Sequence, residues 1–391
     1  MSLPITPSTS GVAVPAAAEP ASSGTIAIGA LALDGGTTLA PVMLAYEAWG
    51  RLAPAGDNAV LLCHALTGSA HARDTTTPDD PRAGWWNPLI GPGRVLDTTR
   101  YFVICSNVLG GCSGSSGPLT PHPRDGLPYG MRFPLVSVGD MVRAQRALLA
   151  RLGVRRLALV AGGSVGGQQA LEWAIAYPEL VARVAVIAAS LRLSALGIAL
   201  DEIGRRAILA DPKWRGGRYV SGEGPDEGLA LARMAAMLSY TSATALDERF
   251  GRRPATRPPF APGVGPTYDV ETYLQYQGLK LVRRFDANSY LILTRAMDRY
   301  DAAEGADRGS DEAALARIQA RLLAVGISSD WLFPAEQVRA LAEGVRCAGG
   351  EARYTEIASP LGHDAFLKEW DQLDAILRPF LAAGDSPRAP P

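Results

Sequence analysis

Apolar positions along the chain follow two rhythms. In one, nearly every residue of a short run is apolar: Ala59–Cys63, Tyr101–Cys105, Leu157–Ala161, Val184–Ala188 and Leu322–Ile327. Strands that are apolar on both faces belong in a parallel sheet with helices packed on each side. Thr25–Leu33 and Pro41–Trp49 read as earlier strands joined at the turn Asp34-Gly35-Gly36, and Ala352–Ile357 as the last strand. The other rhythm has helical spacing. Val138–Leu152 ends at Gly153, and Gln168–Ala176 stops before Pro178. Alternating strand and helix predicts an α/β architecture around a mostly parallel central sheet.

From Ala189 to Arg321 the strand-like runs vanish. Helical pieces (Leu200–Leu209, Gly228–Ser239, Tyr268–Phe285, Ser289–Asp298) flank a Pro/Gly/Arg-rich loop, Gly251–Gly265. This predicts a helical insertion after the sixth core strand. There it lies over the carboxyl ends of the strands, where open α/β sheets bind ligands. The expected organisation is a disordered tail over 1–24, a core built from 25–190 and 322–384, and a helical lid over 191–321. The tail is rich in Ser, Pro and Ala, with neither the basic start nor the apolar stretch of a signal peptide.

Composition narrows the function. At 391 residues the chain suits one large domain with an insertion, or two domains, and 47% hydrophobic residues supply an ample core. A formal net charge of −1 provides no global field for nucleic acid or an anionic membrane surface. No apolar run approaches the ~18 residues of a membrane span. The four cysteines, Cys63, Cys105, Cys112 and Cys347, form no C-x-x-C pair, and four histidines are too few for a zinc cluster. No metal is expected, and a reducing cytoplasm fits best.

The candidate chemistry lies in Leu157–Trp173, which reads strand, tight turn, helix. Gly162-x-Ser164-x-Gly166 matches G-x-S-x-G. With 42 glycines present, about 0.3 chance matches are expected, so the placement carries the signal rather than the pattern. Such a turn lifts a serine hydroxyl from the sheet and aims the next N–H, that of Val165, at a developing oxyanion. A weak alcohol needs a base, and the base an orienting acid. In this strand–turn–helix arrangement the acid and then the histidine follow the serine along the chain. Only His363 follows Ser164 among the four histidines (the others are His64, His71 and His122), and Asp330 is the one acid at the end of the Leu322–Ile327 strand. Asp330 also reads as a helix cap before Pro334. The loop Cys63–Gly68 supplies the second oxyanion donor, the N–H of Leu66, with His64 as a structural residue packing that loop.

Four blocks, Asn107–Pro118, Gly162–Ala174, Asn288–Asp298 and Gly362–Phe366, together resemble the homoserine O-acetyltransferases of the MetX type. The resemblance spans roughly Thr37 to Leu381 and implies the α/β-hydrolase fold with a helical lid. It further implies that Arg233 and Tyr240 of the lid, with Asp364, hold the amino-acid acceptor. A guanidinium suits the homoserine carboxylate and a carboxylate suits the ammonium. The implied reaction is ping-pong transfer of an acetyl group from acetyl-CoA to L-homoserine through acyl-Ser164, in methionine biosynthesis, by a cytoplasmic homodimer without a cofactor. Val165 stands where the family usually has Met, but a backbone N–H donates either way. Relatives that use succinyl-CoA tend to carry Arg after the Trp that follows the acid. Here Trp331 is followed by Leu332, which favours acetyl. The rival readings are a succinyl donor, L-serine as acceptor, a plain serine esterase, and a non-catalytic binding protein of the same fold.

Overall fold

The computed structural model describes residues 20–382, apart from 75, 78–79, 81–82, 221, 256–266 and 306–307. Most of the expected tail and of the Gly251–Gly265 loop lie outside the described residues. The eight strands are β1 (Pro20–Ala32), β2 (Thr38–Trp49), β3 (Ala59–Cys63), β4 (Phe102–Ser106), β5 (Leu157–Gly163), β6 (Arg183–Ile187), β7 (Arg321–Ile327) and β8 (Ala352–Ile357). They form one sheet in the order β1-β2-β4-β3-β5-β6-β7-β8. β1 and β2 pair antiparallel and β2 joins β4 antiparallel, while every pairing from β4 to β8 is parallel. This is the mostly parallel sheet of the α/β-hydrolase fold.

The physical reason is plain in β3, β4 and β6, where every residue is buried. Successive side chains point to opposite faces of a strand. Leu61 and Cys63 therefore enter one core and Val60 and Leu62 the other, and Val184 and Val186 alternate with Ala185 and Ile187 in the same way. A sheet with two wet faces could not carry these sequences.

Helices α1 (Val138–Arg151) and α2 (Val165–Ala176) cover the sheet. Ser137 and Asp140 close a capping box at the start of α1. Between β6 and β7 come α3 (Ala195–Ala210), α4 (Asp226–Tyr240), α5 (Ala243–Arg249), α6 (Asp269–Val282), α7 (Ala287–Asp298) and α8 (Asp311–Ala316). α9 (Ala335–Cys347) and α10 (Trp370–Ala382) follow β7 and β8. α4 and α6 approach closely, since a Cβ placed on Gly278 would sit 2.8 Å from the Ala230 carbonyl oxygen. The helical segment is tied to the core next to the chemistry. Trp331 Nε1–H donates to the Thr241 carbonyl at 3.1 Å, and the Ser242 hydroxyl donates to the Pro360 carbonyl.

Candidate active site

β5 ends at Gly163 and α2 begins at Val165, so Ser164 carries the whole reversal. Its backbone takes φ 60° and ψ −130°, a sparsely populated region for a side-chain-bearing residue. Its N–H donates to Ile187 O at 3.0 Å, and its carbonyl accepts from Gly167 and Gln168. Gly166 makes the turn possible, because a Cβ there would lie 2.1 Å from the carbonyl oxygen of Cys63. Serine, strand end and helix start thus meet as the G-x-S-x-G spacing requires.

β7 delivers Asp330 and the loop after β8 delivers His363. His363 Nδ1 donates to Asp330 Oδ2 at 2.6 Å, with both side chains buried. The other oxygen of Asp330 accepts from the N–H groups of Leu332 at 2.9 Å and Phe333 at 3.0 Å. The orienting and capping readings of Asp330 therefore hold together, one on each oxygen. The imidazole is stacked on Phe333 at 5.5 Å, faces Tyr240 at 6.0 Å and meets Phe366 edge-on. Burial pulls the His363 pKa down, but the charge and hydrogen bond of Asp330, with Asp364 nearby, outweigh it and the net shift is upward. Nε2 is buried without a hydrogen-bond partner. His363 and Ser164 line the same cavity of about 440 Å³, although no hydrogen bond joins them. Catalytic hydrogen bonds commonly tighten only when substrate binds.

The loop after β3 is pinned from below. His64 donates from Nδ1 to Ala65 O at 2.8 Å and accepts at Nε2 from the Val108 N–H at 3.1 Å. Burial drives its pKa down to about 4, so it stays neutral and structural. A buried relay missed in the sequence supports the same loop: Trp173 Nε1–H donates to Gln145, Gln145 to Gln169, and Gln169 to the carbonyls of His64 and Val165. Its signal was present as polar residues within apolar helix faces. Leu66 lines the cavity, and Val165, the first residue of α2, lies beside Ser164. Among the described residues neither N–H donates to another backbone group.

Arg233, Tyr240 and Asp364 also line this cavity. The Arg233 guanidinium lies 5.0 Å from the centre of the Tyr240 ring. Burial raises the Tyr240 phenol to about 12, against the opposing effect of Arg233, so it remains a donor at neutral pH. Asp364 pairs with Lys368 at 3.2 Å. The structure thus brings Ser164, His363, Leu66, Arg233, Tyr240 and Asp364 to one cavity, with Asp330 directly behind His363. Lys280 and Arg284 stand on the same wall and carried no signal in the sequence. Among the described residues no group of three or more His, Cys, Asp or Glu is placed to hold a metal, and no helix is long and apolar enough to cross a membrane.

Comparison with known proteins agrees with this geometry. The alpha/beta hydrolase fold family profile matches residues 58–369. A homoserine O-acetyltransferase of Symbiobacterium thermophilum is 54% identical over 352 residues, covering 90% of this chain and 91% of its own. The crystal structure of homoserine O-acetyltransferase from Bacillus anthracis superposes with a TM-score of 0.87 at 28% identity, covering 93% of this chain and 98% of its own. Esterase E22 superposes with a TM-score of 0.84 at 27% identity, covering 92% and 99%.

Proposed function

The chain belongs to the homoserine O-acetyltransferase family of the α/β-hydrolase fold, and on that premise we propose that it moves an acetyl group from acetyl-CoA to the hydroxyl of L-homoserine through an acyl-Ser164 intermediate. His363, oriented by Asp330, takes the proton of Ser164 as the serine oxygen attacks the thioester carbonyl. The N–H groups of Leu66 and Val165 hold the oxyanion, at about 3 kcal/mol per donor in comparable sites. The tetrahedral intermediate collapses, CoA departs as the thiol with the proton from His363, and acetyl remains on Ser164. Homoserine then enters, its carboxylate on Arg233 and its ammonium on Asp364, with Tyr240 alongside. His363 removes the proton of its hydroxyl, which attacks the acyl carbon, and Ser164 is regenerated.

The observation that carries this reading is the buried His363–Asp330 pair, with Nε2 unpartnered and His363 lining the same cavity as Ser164. The reaction as written needs no metal or cofactor besides its acyl-CoA substrate. The helices between β6 and β7 serve as the lid that limits access of water to the acyl-enzyme. The same reading makes the enzyme a cytoplasmic homodimer of methionine biosynthesis that pairs through its lid helices. Exposed Leu231 and Leu238 on α4, with Tyr276 and Leu279 on α6, support that pairing.

The test is CoA release from acetyl-CoA with no acceptor present. The wild type should give a stoichiometric burst and an acetylated peptide containing Ser164, and Ser164→Ala should give neither while remaining folded. A burst in Ser164→Ala, or none in the wild type, overturns the scheme. Pairing acetyl- and succinyl-CoA each with homoserine and serine settles donor and acceptor. Leu332, at the position where relatives that use succinyl-CoA tend to carry Arg, favours the acetyl donor.

A further inference from the structure

Among the described residues three Lys or Arg side chains converge on the cavity: Arg233 from α4, Lys280 from the last turn of α6, and Arg284 two residues beyond its end. Among the described residues none of the three is paired with a carboxylate. That contrasts with arginines elsewhere in the fold. Arg192 joins Asp301 and Asp311, Arg308 joins Glu172, and Arg205 reaches Asp298. Among the described residues the one carboxylate lining the cavity, Asp364, is held by Lys368.

The bland explanation is that cations at the end of α6 complement its dipole. Arg283 alone satisfies that, and it does not line this cavity. Arg284 instead reaches to the cavity rim and donates to the Thr67 carbonyl at 2.5 Å, beside the Leu66 donor. Partial desolvation of its guanidinium and the charge of Arg233 both hold its proton affinity below the ordinary value, although the residue is exposed. Lys280, four residues earlier in the last turn of α6, is exposed and makes no hydrogen bond or ion pair among the described residues. The like charges of Arg233 and Arg284 repel one another across the cavity. Such an edge is stabilised when an anion arrives.

Homoserine brings one carboxylate, which Arg233 satisfies. The remaining cations need another anion, and the acyl donor supplies it, because its thioester must reach Ser164 while its phosphorylated nucleotide stays toward the surface. We propose that Lys280 and Arg284 form the phosphate-recognition edge of this cavity and hold the phosphate groups of the acyl-CoA donor, leaving Arg233 to the acceptor. The inference rests on the acyl-CoA donor proposed above.

Lys280→Ala is the cleaner variant, because Arg284 also steadies the Thr67 carbonyl. Steady-state kinetics should show the KM for acetyl-CoA raised about tenfold, with kcat and the KM for homoserine changed by less than about twofold. The rise should vanish with acetylpantetheine, a thioester without the nucleotide phosphates, and Lys280→Arg should restore the wild-type KM. Added salt should raise the wild-type KM for acetyl-CoA more than that of Lys280→Ala, since screening weakens only contacts that are present. Arg284→Gln should show the same dependence on donor. An unchanged KM for acetyl-CoA in both Lys280→Ala and Arg284→Gln overturns the inference, as does an equal rise with acetylpantetheine. Failure of the wild type to turn over any acyl-CoA is a different result: it removes the donor assignment itself.

Discussion

Replacing Asp330 by Asn tests the catalytic reading without dismantling the fold. In the wild type, Oδ1 accepts from the N–H groups of Leu332 and Phe333 and Oδ2 accepts from His363. An asparagine must choose which end carries oxygen. Turning its NH2 toward two backbone donors forfeits two hydrogen bonds and opposes donor to donor, so the oxygen stays at the Oδ1 position. The NH2 then faces His363 Nδ1, which must accept, and the imidazole proton moves to Nε2. A protonated Nε2 cannot take the serine proton. Recovering the productive tautomer sets two donors against each other in a buried site, at about 4 kcal/mol, or roughly a thousandfold in acylation rate. Stopped-flow detection of CoA thiol in single turnover reads that rate directly, and the preserved cap should keep the melting temperature within about 3 °C of wild type. Residual activity should also lose its acid limb at lower pH. Burial alone pulls His363 down, and Asp330 is the main influence raising it. The linked stability has a definite sign. A raised histidine pKa stabilises the fold fully below the unfolded value, and that contribution fades as pH rises through the folded value. Asp330→Asn should therefore lose stability mainly on the acid side. A folded Asp330→Asn enzyme that acylates within tenfold of the wild-type rate would refute the arrangement.

Three further outcomes follow from the same geometry. Arg233→Lys replaces a planar fork by a point charge, and should raise the KM for homoserine about tenfold or more in steady-state assays; an unchanged KM removes Arg233 from acceptor binding. His64, held neutral with its pKa near 4, contributes stability that is full above about pH 6.5 and declines as pH falls toward 4, by about 2–3 kcal/mol at pH 4.5. Urea midpoints at pH 7 and 4.5 should converge in His64→Gln relative to wild type, and parallel declines would contradict that. Gly166→Ala drives a Cβ to 2.1 Å from the Cys63 carbonyl oxygen, a backbone atom that cannot step aside cheaply. Denaturation should show a loss of about 3 kcal/mol or more, and a wild-type midpoint would show that the close approach is not real.

The central parallel strands were legible because their two buried faces leave an unbroken apolar run, and β3 begins and ends where that run does. The edge was not: β1 starts at Pro20, within a stretch whose Ser, Pro and Ala composition reads as tail, because pairing with β2 rather than burial orders it. α2 starts at Val165, three residues before the predicted start, since Gly166 and Gly167 are poor helix formers that tight packing against β3 demands. α9 escaped notice although Val338, Leu341, Ala342 and Val345 are buried at helical spacing. Within the site, chain order singled out Ser164, Asp330 and His363, and the structure places Ser164 and His363 at one cavity with Asp330 hydrogen-bonded to His363. Two things were beyond it. The division of labour between the two oxygens of Asp330 depends on a loop geometry that no spacing encodes. The placing of Lys280 and Arg284 on the wall facing Arg233 depends on α6 packing against α4 at Gly278 and Ala230.

The backbone and the Ser–His–Asp arrangement do not by themselves separate transfer from hydrolysis. A solved homoserine O-acetyltransferase and a solved esterase superpose on this chain almost equally well, with TM-scores of 0.87 and 0.84. The difference must lie in what competes for the acyl-enzyme. Bulk water is present at roughly 55 M, whereas a nucleophile held in line can reach effective concentrations of about 10⁵ M or more. A site that fixes an amino acid at both its carboxylate and its ammonium can therefore favour transfer without being fully dry. On the proposed acceptor site, that decision falls to Arg233 and Asp364. On the same proposal the cavity can stay open enough to admit a large acyl donor past Lys280 and Arg284. Weakening the grip on the acceptor should then release acetate rather than halt turnover, because the acyl-enzyme still forms and only its captor is lost.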